Sequence, residues 1–246
     1  MIRAHGPVLH AWLAHWRLRQ RYHRYSVEGL EKLDGPEPAL LVGYHGRPVA
    51  YDICLLSVAL YDRLGYLPHG ILDRNTSDIP LVGRSIVDGL GCVTGNDDRL
   101  RACVAQGEHI VVTPGGASEG LRSARTRYRV HWKRRIGFVR LALEHGLRIV
   151  PVAASGVDDT YLGLYDWHAL AGRLGVSRHW PLWAGVGPLG LFPFSPPFPV
   201  RIRQLIGDPV RIDDLGLCAS DDDAALLPAQ RRVRDAVQEL LVRARS

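Results

Sequence analysis

The sequence has few cysteines, no long apolar run, and no acidic residue among its first 25 positions. Cys54, Cys92, Cys103 and Cys218 have neither the paired spacing of a zinc site nor the density of a disulfide scaffold. The expected state is therefore a reduced, cytoplasmic protein without a bound metal. No apolar stretch approaches the roughly 20 residues of a membrane-spanning helix, and the N-terminus lacks the apolar core of a secretion signal. A chain that does not cross a membrane is expected. No internal repeat is visible. No helix-turn-helix, zinc-finger or aromatic-platform pattern accompanies the basic residues, which argues against nucleic acid as a partner.

What is present is a chain of 246 residues, 46% hydrophobic, enough to bury the core of one domain. Its formal net charge is +6, carried by arginine far more than by lysine, which favours an anionic partner such as a phosphate-bearing substrate or an anionic membrane surface. Residues 1–25 contain five arginines, with Val8, Leu9, Trp12, Leu13 and Trp16 at helical spacing. This segment reads as an amphipathic helix, either packed on the domain or lying on an anionic bilayer. Residues 26–246 read as a single domain.

From residue 38 the pattern alternates between strand and helix. Ala39–Gly43 reads as a strand, followed by a helix from about Val49 to Leu64, with Pro48 before it and Gly65 to stop it. A strand near Gly70–Leu72, a helix from Pro80 to Asp88, a strand around Cys92-Val93 and a helix from Asp97 to Gln106 come next. The strand His109–Thr113, a buried helix Ile136–His145 and the strand Arg148–Ala154 complete five βα repeats. That pattern implies an α/β fold with a mostly parallel central sheet and helices on both faces, preceded by the N-terminal amphipathic helix. Residues 177–199, rich in Trp, Pro and Gly, read as a lid-like loop. Pro199–Ile206 reads as a further strand, Asp221-Asp222-Asp223 as a solvated helix start, and Ala224–Ala244 as a closing amphipathic helix.

Two strand ends share one construction. Ala39–Gly43 runs into Tyr44-His45-Gly46-Arg47-Pro48, with Asp52 soon after, and His109–Val112 runs into Thr113-Pro114-Gly115-Gly116-Ala117-Ser118-Glu119. Ligands of open α/β sheets sit outside the carboxyl ends of the strands, so these two loops mark one candidate site.

Four blocks now stand in order: His45-Gly46 with Asp52; Gly91-Cys92-Val93-Thr94-Gly95-Asn96; Pro114-Gly115-Gly116 with Glu119; and Ile149-Val150-Pro151-Val152. Over about residues 20 to 210 the chain resembles the glycerolipid acyltransferase superfamily. It looks most like the branch of diacylglycerol-acyltransferase-type proteins, whose third block reads Pro-Gly-Gly-x-x-Glu. The resemblance implies an O-acyltransferase that moves a fatty acyl group from acyl-CoA or an acyl carrier protein to a lipid hydroxyl at a membrane surface, with no other cofactor. Such chemistry needs a base to take the hydroxyl proton and donors for the developing oxyanion. His45 suits the base and Asp52 its orienting carboxylate. Gly46, Gly95, Asn96, Pro114, Gly115, Gly116, Glu119 and Arg122 are the implied substrate-binding set, the adjacent glycines offering bare N–H groups.

The sequence departs from the family pattern in its first block, which usually separates His and Asp by four residues rather than six. Seven positions of continuous helix rise about 10.5 Å, too far for a hydrogen bond. Pro48 therefore implies an extended 45–47 segment from which the chain turns back to bring Asp52 within reach. The second block ends in Gly95-Asn96 where lysophosphatidate-type members carry an Arg, which points to a neutral hydroxyl acceptor unless Arg74, Arg84, Arg99 or Arg122 supplies the charge. Arg122, Arg125, Arg127, Arg129, Lys133, Arg134 and Arg135 suit the phosphates of a thioester donor, an acidic carrier protein or lipid headgroups. Two alternatives remain open: a serine hydrolase using Ser118 of Gly116-Ala117-Ser118-Glu119-Gly120, and an inactive lipid-binding relative.

Overall fold

A computed structural model describes residues 3–72, 89–95, 98–174 and 183–246. Strands β1 (Ser26–Glu28), β2 (Ala39–Gly43), β3 (His69–Leu72), β4 (Val93–Thr94), β5 (Ile110–Val112), β6 (Arg148–Ser155) and β10 (Arg203–Ile206) form a seven-stranded sheet in the order β1-β10-β6-β2-β5-β3-β4. All pairs are parallel except β10 with β6. β2 lies at the centre, and its five residues are all buried. Leu40 and Val42 pack into one hydrophobic cluster while Ala39 and Leu41 pack into another, so the period-two alternation serves two covered faces. That is why the strand reads as a continuous apolar run rather than an alternating one.

The helices are α1 (Gly6–Tyr22), α2 (Tyr51–Leu64), α3 (Asp98–Ala105), the one-turn α4 (Gly116–Gly120), α5 (Gly137–His145), α6 (Trp167–Leu174) and α7 (Asp223–Arg245). The expected helix at Pro80–Asp88 lies outside the described residues. α7 starts where Asp222 accepts the N–H of Ala225 at 2.8 Å, so part of the acidic triplet is an N-cap. Its apolar face, Leu226, Val233, Val237 and Leu241, is buried, and the helix packs along β6 and β10.

One reading of the sequence is corrected and one pair of alternatives is decided. The described part of the 177–199 segment, from residue 183 on, is not simply a loop: β8 (Gly185–Gly187) pairs with β7 (Leu162–Gly163), and β9 (Gly190–Leu191) pairs with β8, in a small antiparallel sheet. The glycine richness that suggested a loop lets those strands lie close against the domain, since a Cβ on Gly163 would sit 2.4 Å from the carbonyl oxygen of Arg122. Of the two readings of α1, the tryptophan face follows the one in which it packs on the domain. Leu9, Leu13 and Trp16 are buried, Trp16 meets the Tyr51 ring edge-on at 5.0 Å, and Trp12 donates its indole N–H to Ser57 at 3.0 Å. Both partners belong to α2.

Because Trp16 is core, Trp16→Ala should lower the unfolding free energy by about 3–5 kcal/mol in urea titration. A variant as stable as the wild type would return this face to solvent.

Candidate active site

The carboxyl ends of β2, β5 and β6 converge, and the loops that follow them build the site. After Gly43 the chain passes through Tyr44-His45-Gly46 into a turn where Arg47, Val49 and Ala50 all have positive φ, at 26°, 62° and 51°. α2 consequently starts at Tyr51, not Val49. The 45–47 segment expected to be extended is curled, and the loop closes through the N–H of Tyr51 on the carbonyl of Gly46 at 3.2 Å. Asp52 does turn back, but its Oδ1 accepts the N–H of Gly46 at 3.0 Å rather than a bond from the His45 ring. Gly46 is required here: a Cβ would lie 2.5 Å from both methyls of Val157.

His45 Nδ1 and Asp52 Oδ2 are both buried and neither has a hydrogen-bond partner. Desolvation lowers the imidazole to about 4 and raises the Asp52 carboxyl to about 8. At neutral pH the ring is an uncharged base and the proton sits on the carboxyl. The ring edge rests on Gly120, where a Cβ would lie 2.8 Å from Cε1 and Nδ1 of His45. The second glycine of the G-x-S-x-G run thus makes room for the histidine. Ser118 Oγ donates to the carbonyl of Gly115 at 2.7 Å, inside its own turn.

Glu119 ties the loops together. One carboxylate oxygen accepts the N–H of His45 at 3.0 Å, the other the N–H of His131 at 2.6 Å. Burial raises its pKa to about 7, against the pull of those two donors. Gly115 must be glycine because a Cβ there would overlap the Glu119 side chain, 1.9 Å from Oε2. Gly116 has φ +51° and gives its N–H to Thr113 at 2.9 Å. Of the adjacent pair Gly115-Gly116, read from sequence as offering bare N–H groups, the Gly116 N–H is therefore engaged, as is that of Gly46, and these glycines serve close approach and turning. Pro114 is buried, and its carbonyl accepts from Arg135 at 2.5 Å. Gly95 has φ +63° with open space around it, and Asn96 lies outside the described residues.

Arg122 is an internal brace rather than a waiting headgroup cation. It is buried, and it donates to the carbonyl of His45 at 2.8 Å, to Asp158 Oδ2 at 3.1 Å and to the carbonyl of Glu119. Sequence reasoning missed its partners. Arg47 is fully buried and donates to the Asp158 carbonyl at 2.7 and 2.9 Å and to the Arg122 carbonyl at 2.8 Å. Asp158 Oδ2 also accepts from the Tyr44 hydroxyl and, at 2.7 Å, from the N–H of Tyr128. The signal for Asp158 was its place just beyond β6, the third strand end on the same edge of the sheet. For Arg47 there was only its adjacency to Gly46.

A cavity of about 340 Å³ opens on the outer side of this loop, between Trp16 and Arg19 of α1, Val49, Tyr161 and Phe194. Arg135 is exposed, and its charge contributes to lowering the His45 pKa. At the opposite ends of the strands, His69, Cys103 and Glu108 form the one group of potential metal ligands among the described residues. There Glu108 is engaged by Arg3 and by His69 Nε2, the latter at 2.5 Å.

A family model described as diacylglycerol acyltransferase matches residues 81–173, a range that includes the Glu119 loop and β6 but not His45. An uncharacterized protein of Mycobacterium leprae is 30% identical over 232 residues, covering 90% of this chain and 60% of its own. The "DGAT1/2-independent enzyme synthesizing storage lipids" of Bos taurus is 25% identical over 231 residues, covering 90% of this chain and 64% of its own. The chain thus spans somewhat under two thirds of the length of these relatives. The crystal structure of the 1-acyl-sn-glycerophosphate acyltransferase PlsC from Thermotoga maritima superposes with a TM-score of 0.52 over 94% of this chain and 79% of that one. At 17% identity it speaks for the fold. The chain is thus similar to diacylglycerol-acyltransferase-type proteins in sequence and to a glycerophosphate acyltransferase in fold.

Two outcomes follow from the site's packing. Gly120→Ala should displace the His45 ring, because the new methyl would also meet the carbonyl oxygen of Arg47 at 2.9 Å. A destabilisation of about 1–3 kcal/mol by denaturant titration is expected. Asp52 has a folded pKa above the ordinary 3.8, so the stability it contributes is complete below about 4 and is lost as pH rises through about 8. Asp52→Asn keeps an acceptor for Gly46 and does not ionise, so its melting temperature should change less than that of the wild type between about pH 6 and about pH 9. Each kcal/mol lost by the wild type corresponds to about 2–4 °C in a chain of this size. Parallel pH profiles would contradict the assignment.

Proposed function

We propose that this protein is an O-acyltransferase that moves a fatty acyl group from an acyl thioester to a lipid hydroxyl at a membrane surface, with His45 as general base. The observation that carries this reading is the uncharged imidazole of His45 at the carboxyl end of the central strand, with its buried Nδ1 unpartnered. The hydroxyl oxygen of the acceptor attacks the thioester carbonyl as its proton passes to the imidazole. The tetrahedral intermediate then expels the thiolate, which takes up that proton. A base whose pKa is about 4 is weak for this task. Loss of the Asp52 proton as substrate binds would let its carboxylate accept a hydrogen bond from the Nδ1–H of neutral His45, orienting the ring, raising its basicity and leaving Nε2 free to take the hydroxyl proton, the part assigned to Asp52. Apo sites commonly make this bond only in the substrate complex.

Arg135 is the cation that His45 feels, and it stands over Gly116. It suits the developing oxyanion or the phosphates of an acyl-CoA or acyl-carrier donor. The neighbouring cavity, walled by Trp16, Tyr51, Tyr161 and Phe192, has the size and apolar lining of a site for an acyl chain. Each of the three Arg122 guanidinium nitrogens has a protein partner, and Gly95-Asn96 stands where lysophosphatidate-type members carry an arginine. This favours a neutral hydroxyl acceptor, such as a partial glyceride or a long-chain alcohol.

The test is a panel of acyl-CoA and acyl-carrier donors against monoacylglycerol, a fatty alcohol and lysophosphatidate. His45→Ala should lower kcat by at least about 100-fold, the scale of general-base catalysis, with the fold intact by circular dichroism. Ser118→Ala should stay within a few-fold of wild type. Full transfer by the His45 variant, or covalent labelling of Ser118 by a fluorophosphonate, would overturn the mechanism in favour of a serine hydrolase. A clear preference for lysophosphatidate would overturn the neutral acceptor.

A further inference from the structure

The small sheet β7-β8-β9 has two unlike faces. Its inner face carries almost no side chain: Gly163 presses on the Arg122 carbonyl, Gly185 on the Trp183 ring and Gly187 on Ser195. The outer face holds one register row, Leu162 opposite Val186 opposite Leu191, and it is aliphatic from edge to edge. Around it stand Leu164, Leu189 and Phe194, the last two 80% and 93% exposed. Val49 joins the patch across the mouth of the cavity. It is 69% exposed, and as a β-branched residue at φ 62° it holds an unfavourable backbone geometry. An exposed apolar patch continuous with a substrate cavity calls for an occupant.

We propose that this face of the small sheet is the surface on which the protein docks to an anionic lipid bilayer, setting the cavity mouth against the membrane. The inference rests on the reading of a lipid acceptor and adds to it the part of the molecule that meets the lipid. Charge decides among occupants. The chain turns from Arg122, against which β7 is packed, directly into Arg125, Arg129, Lys133 and Arg134, all exposed. Among the described residues none of these four appears in an ion pair. An exposed basic segment leading from the arginine on which β7 packs, together with an apolar row, complements an anionic headgroup layer over acyl chains. A second copy would bring the same basic segment, in a chain of net charge +6, against itself. α1, whose tryptophans are turned inward, has no comparable outer row.

Cosedimentation with vesicles of phosphatidylcholine, and of phosphatidylcholine mixed with phosphatidylglycerol, tests the assignment without donor or acceptor present. Binding should be stronger on the mixed vesicles and should weaken with added salt. The triple variant Leu162→Ser/Leu189→Ser/Leu191→Ser, changed only at exposed positions, should lower the partition coefficient by about 100-fold or more. Leu18→Ser, at an exposed position of α1, should leave it unchanged. Lys133→Gln/Arg134→Gln should weaken binding to the mixed vesicles alone. Undiminished binding of the triple variant, verified as folded by circular dichroism, would overturn the proposal, as would an equal loss in Leu18→Ser. A dimer in sedimentation velocity that the triple variant abolishes, with vesicle binding unaffected, would assign the face to a second copy. Docking without acyl transfer would refute the function proposed above and leave this surface standing; transfer to a micellar acceptor without docking would do the reverse.

Discussion

The site depends on one buried group of charges. Arg47 and Arg122, from the loops after β2 and β5, both close on Asp158 from the loop after β6. Three strand ends that would otherwise diverge are thereby held at fixed spacing. Such charges are costly to desolvate: Asp158 Oδ2 takes the Tyr44 hydroxyl and the Tyr128 N–H as well as Arg122, while Oδ1 has no hydrogen bond and only the Arg47 guanidinium 3.7 Å away. Removing one partner from a group of this kind costs about 3–5 kcal/mol, whereas keeping it adds little net stability, so its worth lies in position. What it positions is His45, whose carbonyl is held by Arg122 and whose N–H is held by Glu119.

The His45 backbone is held at both its carbonyl and its N–H. Gly120 supports the ring edge, and burial strips the ring of its charge. The two carboxyls nearby are displaced in the other direction, Asp52 to about 8 and Glu119 to about 7. An uncharged imidazole can take up the proton of an attacking hydroxyl, and an ionised carboxylate can steady the imidazolium that forms. The glycines of the third block belong to the same design. They admit the Glu119 side chain and turn the chain, which explains why Pro-Gly-Gly and Glu occur together.

Much of this was legible in the sequence because strand ends announce themselves. β-branched and aliphatic runs stopped by Gly or Pro gave β2, β5 and β6 within a residue or two, and the two loops that share the site followed from parallel topology. The start of α2 was misjudged because Pro48 suggested a first helical position, whereas left-handed residues at Val49 and Ala50 delay the helix, and side chains of those types do not advertise such geometry. The small sheet was hidden because glycine and proline signal loops, and here glycine instead lets strands lie flush against the domain. The roles of Arg47, Arg122 and Asp158 were hidden for a further reason. An arginine in a basic run looks solvated, and only long-range packing decides that two of them are interior. The tryptophans of α1 were ambiguous in sequence for the converse reason, since the same stripe serves a core or a bilayer.

The most direct measurement is the fate of the acyl group in isotopically labelled water. Purified protein is given an acyl-CoA and a neutral lipid alcohol in water enriched in oxygen-18, and the free thiol, the ester and the free fatty acid are quantified by mass spectrometry. The account predicts ester formed in step with thiol released, the ester unlabelled, and both lost in His45→Ala. Free fatty acid carrying oxygen-18 as the main product, with a serine-bound acyl adduct on the protein, would contradict it.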